Sequence, residues 1–221
     1  MTGINSLRWD KVYRDFNGKR FSVWKEDATP FFVEKIPFFK NNNVKKILDA
    51  GCGDGRNLQA FAKAGFQMTG IDSSREACKR AQRVLKNFPD TNVIEQDLKN
   101  LNVVGLFDAI ICDYVLVHLE KAEKIIQLFL NALKTNGYLL IEFLSTDDPS
   151  CKRDENIRDN TLVSHGIFHK FYSTNEVEVL LSAFNILELR KIQHYDPDHV
   201  EDYPRSKNHK HDSIYVLCQK T

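Results

Sequence analysis

Residues 44–57 read VKKILDAGCGDGRN, an apolar run of strand length that passes into a turn with three glycines in five positions. Glycine in an ordinary element costs about 0.5–1 kcal/mol relative to alanine, and a single tight turn needs only one of them. Gly51, Gly53 and Gly55 together therefore point to a backbone that must come close to something. Between a first strand and its helix, at the carboxyl edge of an open α/β sheet, that something is a ligand. The dinucleotide fingerprint G-x-G-x-x-G places its third glycine one position later than the G-x-G-x-G found here.

Working outward, strand-length apolar runs alternate with helical periods, the pattern of a parallel sheet covered by helices on both faces. RNLQAFAKAG predicts a helix closed by Gly65, and FQMTGID a second strand. SSREACKRAQRVLKNF predicts a helix started by Ser73 with Glu76 as its capping box. TNVIEQD, GLFDAIICDYVL and GYLLIEFLS read as three more strands, with a helix over EKAEKIIQLFLNALKTNG that stops at Gly137. After Ser145 the segment TDDPSCKRDENIRDNTLVSHGIFHKF is polar and aperiodic, as expected of a lid. A capping box at Ser173 and Glu176 then opens another helix, and NILELRKIQ and SIYVLCQK close the chain as antiparallel neighbours. The expected organisation is one domain, 1–221: a lead-in over 1–43, a core over 44–144, a lid over 145–172, and a closing helix and strands over 173–221.

The 31 basic and 30 acidic side chains nearly cancel, so the electrostatic footprint of a nucleic-acid binder is missing. Five cysteines with no C-x-x-C spacing argue against a disulfide framework and predict a reducing, cytoplasmic setting. No apolar run approaches the roughly 20 residues that span a bilayer. Neither a membrane nor nucleic acid is expected as a partner, and composition leaves the oligomeric state open.

Two further carboxylates extend the glycine turn. Asp72 ends the second strand, where it can accept two ribose hydroxyls, and Asp97 ends the third, where it can accept from an adenine amino group. At this point the chain resembles the class I S-adenosylmethionine-dependent methyltransferases. LDAGCGDGRN is similar to their first motif, GIDSS to the second, EQDL to the third, FDAIICDYVLVHL to the fourth, and LKTNGYLLIEF to the segment around the fifth strand. The resemblance implies a Rossmann-like three-layer sandwich whose seven-stranded, mostly parallel sheet has its last strand antiparallel and inserted. It also implies S-adenosylmethionine as cofactor. Asp49, Gly51 and Gly53 would line its methionine half, Asp72 its ribose, and Asp97 and Leu98 its adenine, with Cys52 and Ser73 also in the cofactor site and the backbone near Asp113 meeting the α-amino group. More loosely, RWDKVY and HGIFHKFYSTNEVEVLL resemble small-molecule methyltransferases of the thiol and tellurite-resistance type. By that similarity Tyr13 and Arg20 would reach the methionyl end, Arg20 pairing with its carboxylate, while Trp9 and Phe16 read as packing residues.

Methyl transfer from a sulfonium consumes positive charge, so alignment in a water-poor site supplies most of the acceleration, about 7–11 kcal/mol from positioning. A base is needed only when the nucleophile must lose a proton, and histidine suits that task. Of the seven histidines, His118 and His169 are the expected base or substrate contacts, and the others read as loop residues. His209 and His211, with Asp212, offer metal ligands but match no zinc spacing, so no metal is expected. The fourth motif lacks the N-P-P-Y type of grip on an extruded base, which leaves a small molecule, or a short peptide or side chain, as the default acceptor; sulfur, selenium, tellurium, oxygen and nitrogen nucleophiles all fit. Two alternatives stand beside the enzyme: a catalytically silent S-adenosylmethionine-binding scaffold and a nicotinamide-dependent oxidoreductase.

Overall fold

The computed structural model describes residues 3–15, 23, 25, 27–153, 157, 159–164, 167–196 and 209–221. The described part of the lead-in contains three helices, α1 (Gly3–Asp15), α2 (Pro30–Val33) and α3 (Ile36–Asn41). The core alternates as its periodicity predicts, through β1 (Lys46–Ala50), α4 (Arg56–Lys63), β2 (Gln67–Asp72), α5 (Arg75–Leu85), β3 (Thr91–Glu95), β4 (Phe107–Cys112), α6 (Ala122–Ala132) and β5 (Leu133–Leu144). The remainder comprises α7 (Pro149–Arg153), β6 (Thr161–Ser164), β7 (Ile167–Lys170), α8 (Thr174–Leu180), β8 (Phe184–Asp196) and β9 (His209–Lys220).

Seven strands form one sheet in the order β3-β2-β1-β4-β5-β9-β8. The five core strands pair in parallel, and β9 inserts antiparallel to both β5 and β8. Central strands are apolar on both faces because helices cover both. Leu48, Ile110 and Ile141 pack toward α6 and α8. Ile47, Ile111 and Leu140 face the other way, onto Phe61 of α4 and Phe31, Phe32 and Phe39 of the lead-in. The chain winds outward from β1 to β3, then crosses to β4, so the carboxyl ends of β1 and β4 flank the crevice where such sheets bind ligands.

Gly65, with φ +92°, follows the end of α4 as the left-handed residue expected there. The Ser173–Glu176 capping box is present with both reciprocal hydrogen bonds. Four expectations are corrected. The cap of α5 is Ser74, not Ser73: the Ser74 hydroxyl accepts from the Ala77 amide, and with alanine at that third position there is no capping box. α6 ends at Ala132, and Gly137 lies inside β5, where it packs against the Lys134 and Asp108 carbonyls. The turn is made by Asn136 at φ +62°, beside the register shift between β4 and β5. Third, the segment expected as an aperiodic lid contains α7 and the antiparallel hairpin β6-β7. Fourth, the polar ends of the last connection are strand: β8 runs on through His194, Tyr195 and Asp196, and β9 starts at His209. Polar residues extend an antiparallel ribbon there because each side supplies the other's backbone partners.

Candidate active site

The glycine turn is shaped by what surrounds it. Gly51, at φ +81°, lies so close to Val115 that a Cβ would sit 2.3 Å from its Cγ2, and a Cβ on Gly53, at φ +53°, would sit 2.6 Å from the Tyr13 hydroxyl. α1 is held over this turn by Asp10, whose carboxylate accepts from the Ser74 hydroxyl at 2.6 Å and the Glu76 amide at 3.1 Å, and by Arg80, which donates to the Tyr13 carbonyl at 3.0 Å. One pocket opens between these elements. On one side it is lined by Asp49, Gly51, Cys52, Gly53, Asp72, Ser73, Asp97 and Leu98, together with the buried Tyr13.

Within that half, Asp72 accepts from the Gly53 amide at 2.9 Å and the Ser74 amide at 2.8 Å. Burial outweighs these bonds and lifts its carboxyl to about 6. Asp49 is 1% exposed, and its Oδ2 has no hydrogen-bond partner among the described residues. Burial, and then the neighbouring Asp113, push it well above the ordinary carboxylate range. Asp97 caps the short turn Leu98–Asn100 by accepting from the Lys99 amide at 2.9 Å, and Leu98 is buried beside it. Cys52 points partly away from the pocket, since a Cβ on Gly70 would meet its sulfur at 2.9 Å. Arg20 and Phe16 lie outside the described residues.

The Asp113 side chain does more than its backbone position implied. Its Oδ2 accepts from Thr29 Oγ1 at 2.7 Å, Asn57 Nδ2 at 2.7 Å and the Arg56 guanidinium. Burial alone would raise this carboxyl, but Arg56 together with the hydrogen bonds from Glu142, Thr29 and Asn57 outweighs it and holds it far below the usual range. The nearby Glu142 goes the other way, driven up by burial and by Asp113. A neutral Glu142 donating to Asp113 satisfies the two buried oxygens otherwise without partners, Asp113 Oδ1 and Glu142 Oε1. Sequence reading missed Thr29, Arg56, Asn57 and Glu142, because only the fold brings three separate segments to the end of β4.

The opposite side of the pocket carries Trp9, Tyr114, His118, His169, His194, Asp196, His209 and His211. Trp9 thus belongs to the pocket wall, its ring edge-on to His118 at 4.9 Å between centroids. His118 Nδ1 lies 3.0 Å from the Phe168 carbonyl, so it carries the proton there and leaves Nε2 as an acceptor. Burial, and then His169, lower His118 to about 3 and keep the ring neutral. His169 stacks edge-on to His118 at 4.9 Å, and its Nδ1 lies 3.1 Å from the Ile167 carbonyl of its own strand. Tyr114 stands in a left-handed conformation, φ +58°, with its ring 5.7 Å from His118 and 5.8 Å from His211. Strained non-glycine backbone at a pocket mouth is a common companion of function.

Comparison with known proteins agrees with this geometry. A family model described as a methyltransferase domain matches residues 16–187, and the chain belongs to that family. It is 29% identical over 133 residues to the ubiquinone biosynthesis O-methyltransferase of Rickettsia conorii, covering 57% of this chain and 46% of that protein. The chain thus spans about half the length of such relatives. Its fold is similar to the N-methyltransferase NodS from Bradyrhizobium japonicum WM9 in complex with S-adenosyl-L-homocysteine, with TM-score 0.68, 18% identity and 97% of each chain covered. It is also similar to TehB from Haemophilus influenzae, with TM-score 0.66 and 18% identity, over 97% of this chain and 67% of that one. The fold is that of the class I methyltransferases, whose cofactor is S-adenosylmethionine. Among the described residues no helix is long and apolar enough to cross a membrane.

Proposed function

We propose that the protein transfers the methyl group of S-adenosylmethionine to a small molecule bearing a hydroxyl or thiol. One observation carries this reading: a single pocket joins the glycine turn and its carboxylates to a wall of histidines. The cofactor half fits the cofactor by its donors and acceptors. Asp49 Oδ2, buried without a partner, suits an α-ammonium group. The two amides on Asp72 aim its remaining lone pairs at a ribose diol. Asp97 and Leu98 would hold the adenine, and Tyr13 would close over the methionyl end. When bound, the cofactor supplies an electrophilic methyl carbon; the chain's own work is to align the acceptor, exclude water and take up a proton. His118 Nε2, with His169 beside it, is the proposed proton acceptor. The segment 145–172 is the proposed cover of the acceptor half, since its Phe168 carbonyl fixes the His118 tautomer.

The test is methyl transfer from labelled S-adenosylmethionine to a panel of low-molecular-weight thiols and alcohols. Turnover on any of them supports the reading, whereas cofactor binding without turnover on every acceptor favours the silent scaffold. A pH signature should accompany binding. A diol donates to the ionised form of Asp72, and that carboxyl stands near 6 in the ligand-free pocket. Affinity for S-adenosylhomocysteine should therefore be full above pH ~7 and fall toward tenfold per unit below pH ~6. The Asp72→Asn variant should lose that dependence.

A further inference from the structure

The two closing strands carry a second chemistry. Asp196 and His209 are direct cross-strand partners in the β8-β9 ribbon, and His194 pairs with His211 one step further in. Strand side chains alternate faces, so positions 194, 196, 209 and 211 share one face, turned into the acceptor half of the pocket. His211 Nε2 lies 2.9 Å from His209 Nε2 and 3.7 Å from Asp196 Oδ2. One ligand atom from each of the three residues falls within 4.8 Å of the others. These separations bracket the ~3.3 Å edge of a tetrahedron with ~2.0–2.1 Å metal–ligand bonds. Asp212, the carboxylate its sequence position offered, is turned to the other face and engaged by Gln193 at 3.0 and 3.1 Å.

A supporting shell is also in place. His211 is 3% exposed, and its Nδ1 is held 2.7 Å from Asp148 Oδ2. Asp148 is itself fully buried and pinned by the Ser150 amide at 2.8 Å and the Asp212 amide at 3.1 Å. This carboxylate fixes the proton on Nδ1 and presents the Nε2 lone pair inward, the arrangement that orients metal-binding histidines. Lys25 and His194 Nε2 lie against the other oxygen of Asp196, Oδ1, so Oδ2 is the one nearer His211.

We propose that Asp196, His209 and His211 form a divalent transition-metal site of the zinc type, with an open fourth position facing the acceptor. Three protein ligands and one open position is the composition of catalytic zinc centres. The ligand it would take is the acceptor's own heteroatom: the O–H or S–H bond breaks, its proton leaves to His118 or solvent, and the lone pair stays on the metal-bound atom for the methyl carbon. A heteroatom held by a divalent metal is more acidic, so its proton can pass to His118 even though burial keeps that ring a weak base. This role rests on the methyltransferase reading, whereas the metal site itself does not.

The experiment is titration of the purified, chelator-stripped full chain with Zn²⁺ by calorimetry, and with Co²⁺ by visible absorption. The expected result is one equivalent per chain with a tetrahedral Co²⁺ spectrum, weakened on the order of 100-fold or more in His209→Ala and in Asp196→Ala. Parallel titration with S-adenosylhomocysteine reports that the variants are folded. Absence of stoichiometric binding, or binding unchanged in both variants as if the cysteines held the ion, overturns the site. Metal binding without any binding of S-adenosylhomocysteine would leave the site standing and remove the methyltransferase reading.

Discussion

Asp113→Ala is expected to destabilise the protein by about 3–5 kcal/mol, the cost of leaving a buried charge without its partner. Arg56 is the charge in question, its side chain only 14% exposed and its guanidinium on Asp113. Thr29 and Asn57 donate to that same oxygen and would be stranded with it. At roughly 2–4 °C per kcal/mol for a domain of this size, the melting temperature should fall by about 6–20 °C. Asp113→Asn should be milder, because the amide keeps an oxygen where Thr29, Asn57 and Arg56 donate. Thermal denaturation of the two variants checks this. A shift under about 1 °C for Asp113→Ala would mean that Arg56 finds water or another partner, contrary to the buried network described.

The second large effect is catalytic. His118→Asn should lower kcat by about 10²–10⁴-fold, the usual contribution of a positioned base. Asparagine can keep the hydrogen bond that Nδ1 makes to the Phe168 carbonyl but has no counterpart to Nε2. Affinity for S-adenosylhomocysteine should therefore stay within about threefold, separating loss of the base from collapse of the pocket wall. Single-turnover rates beside calorimetric binding supply both numbers. An unchanged rate would shift the proton to His169 or to solvent.

Much of this architecture could be read from local pattern. The strand–turn–helix at 44–57, the alternation through Leu144, Gly65 and the Ser173 capping box each rest on nearest-neighbour chemistry, whereas the inserted antiparallel last strand is implied only by the family resemblance. What escaped needed long-range contacts. Ser73 and Ser74 are both good caps, and Asp10 of α1 engages the hydroxyl of Ser74. HYD and HKHD looked like loop because nothing apolar marks them, yet each extends a strand by pairing with the other. The carboxylates of the proposed cofactor half stand at strand ends, where sequence can find them. Tyr114, Glu142 and Asp148 gain their places from neighbours about 30 to 100 positions away, which no spacing rule reaches.

The central claim, that the glycine turn and its carboxylates bind S-adenosylmethionine, is tested most directly by calorimetric titration with S-adenosylhomocysteine beside NADH at the same concentration. Saturable one-to-one binding of S-adenosylhomocysteine alone, weakened by about 1–3 kcal/mol in Asp72→Ala, is the predicted result. Binding of NADH alone, or an affinity for S-adenosylhomocysteine that Asp72→Ala leaves unchanged, would contradict it.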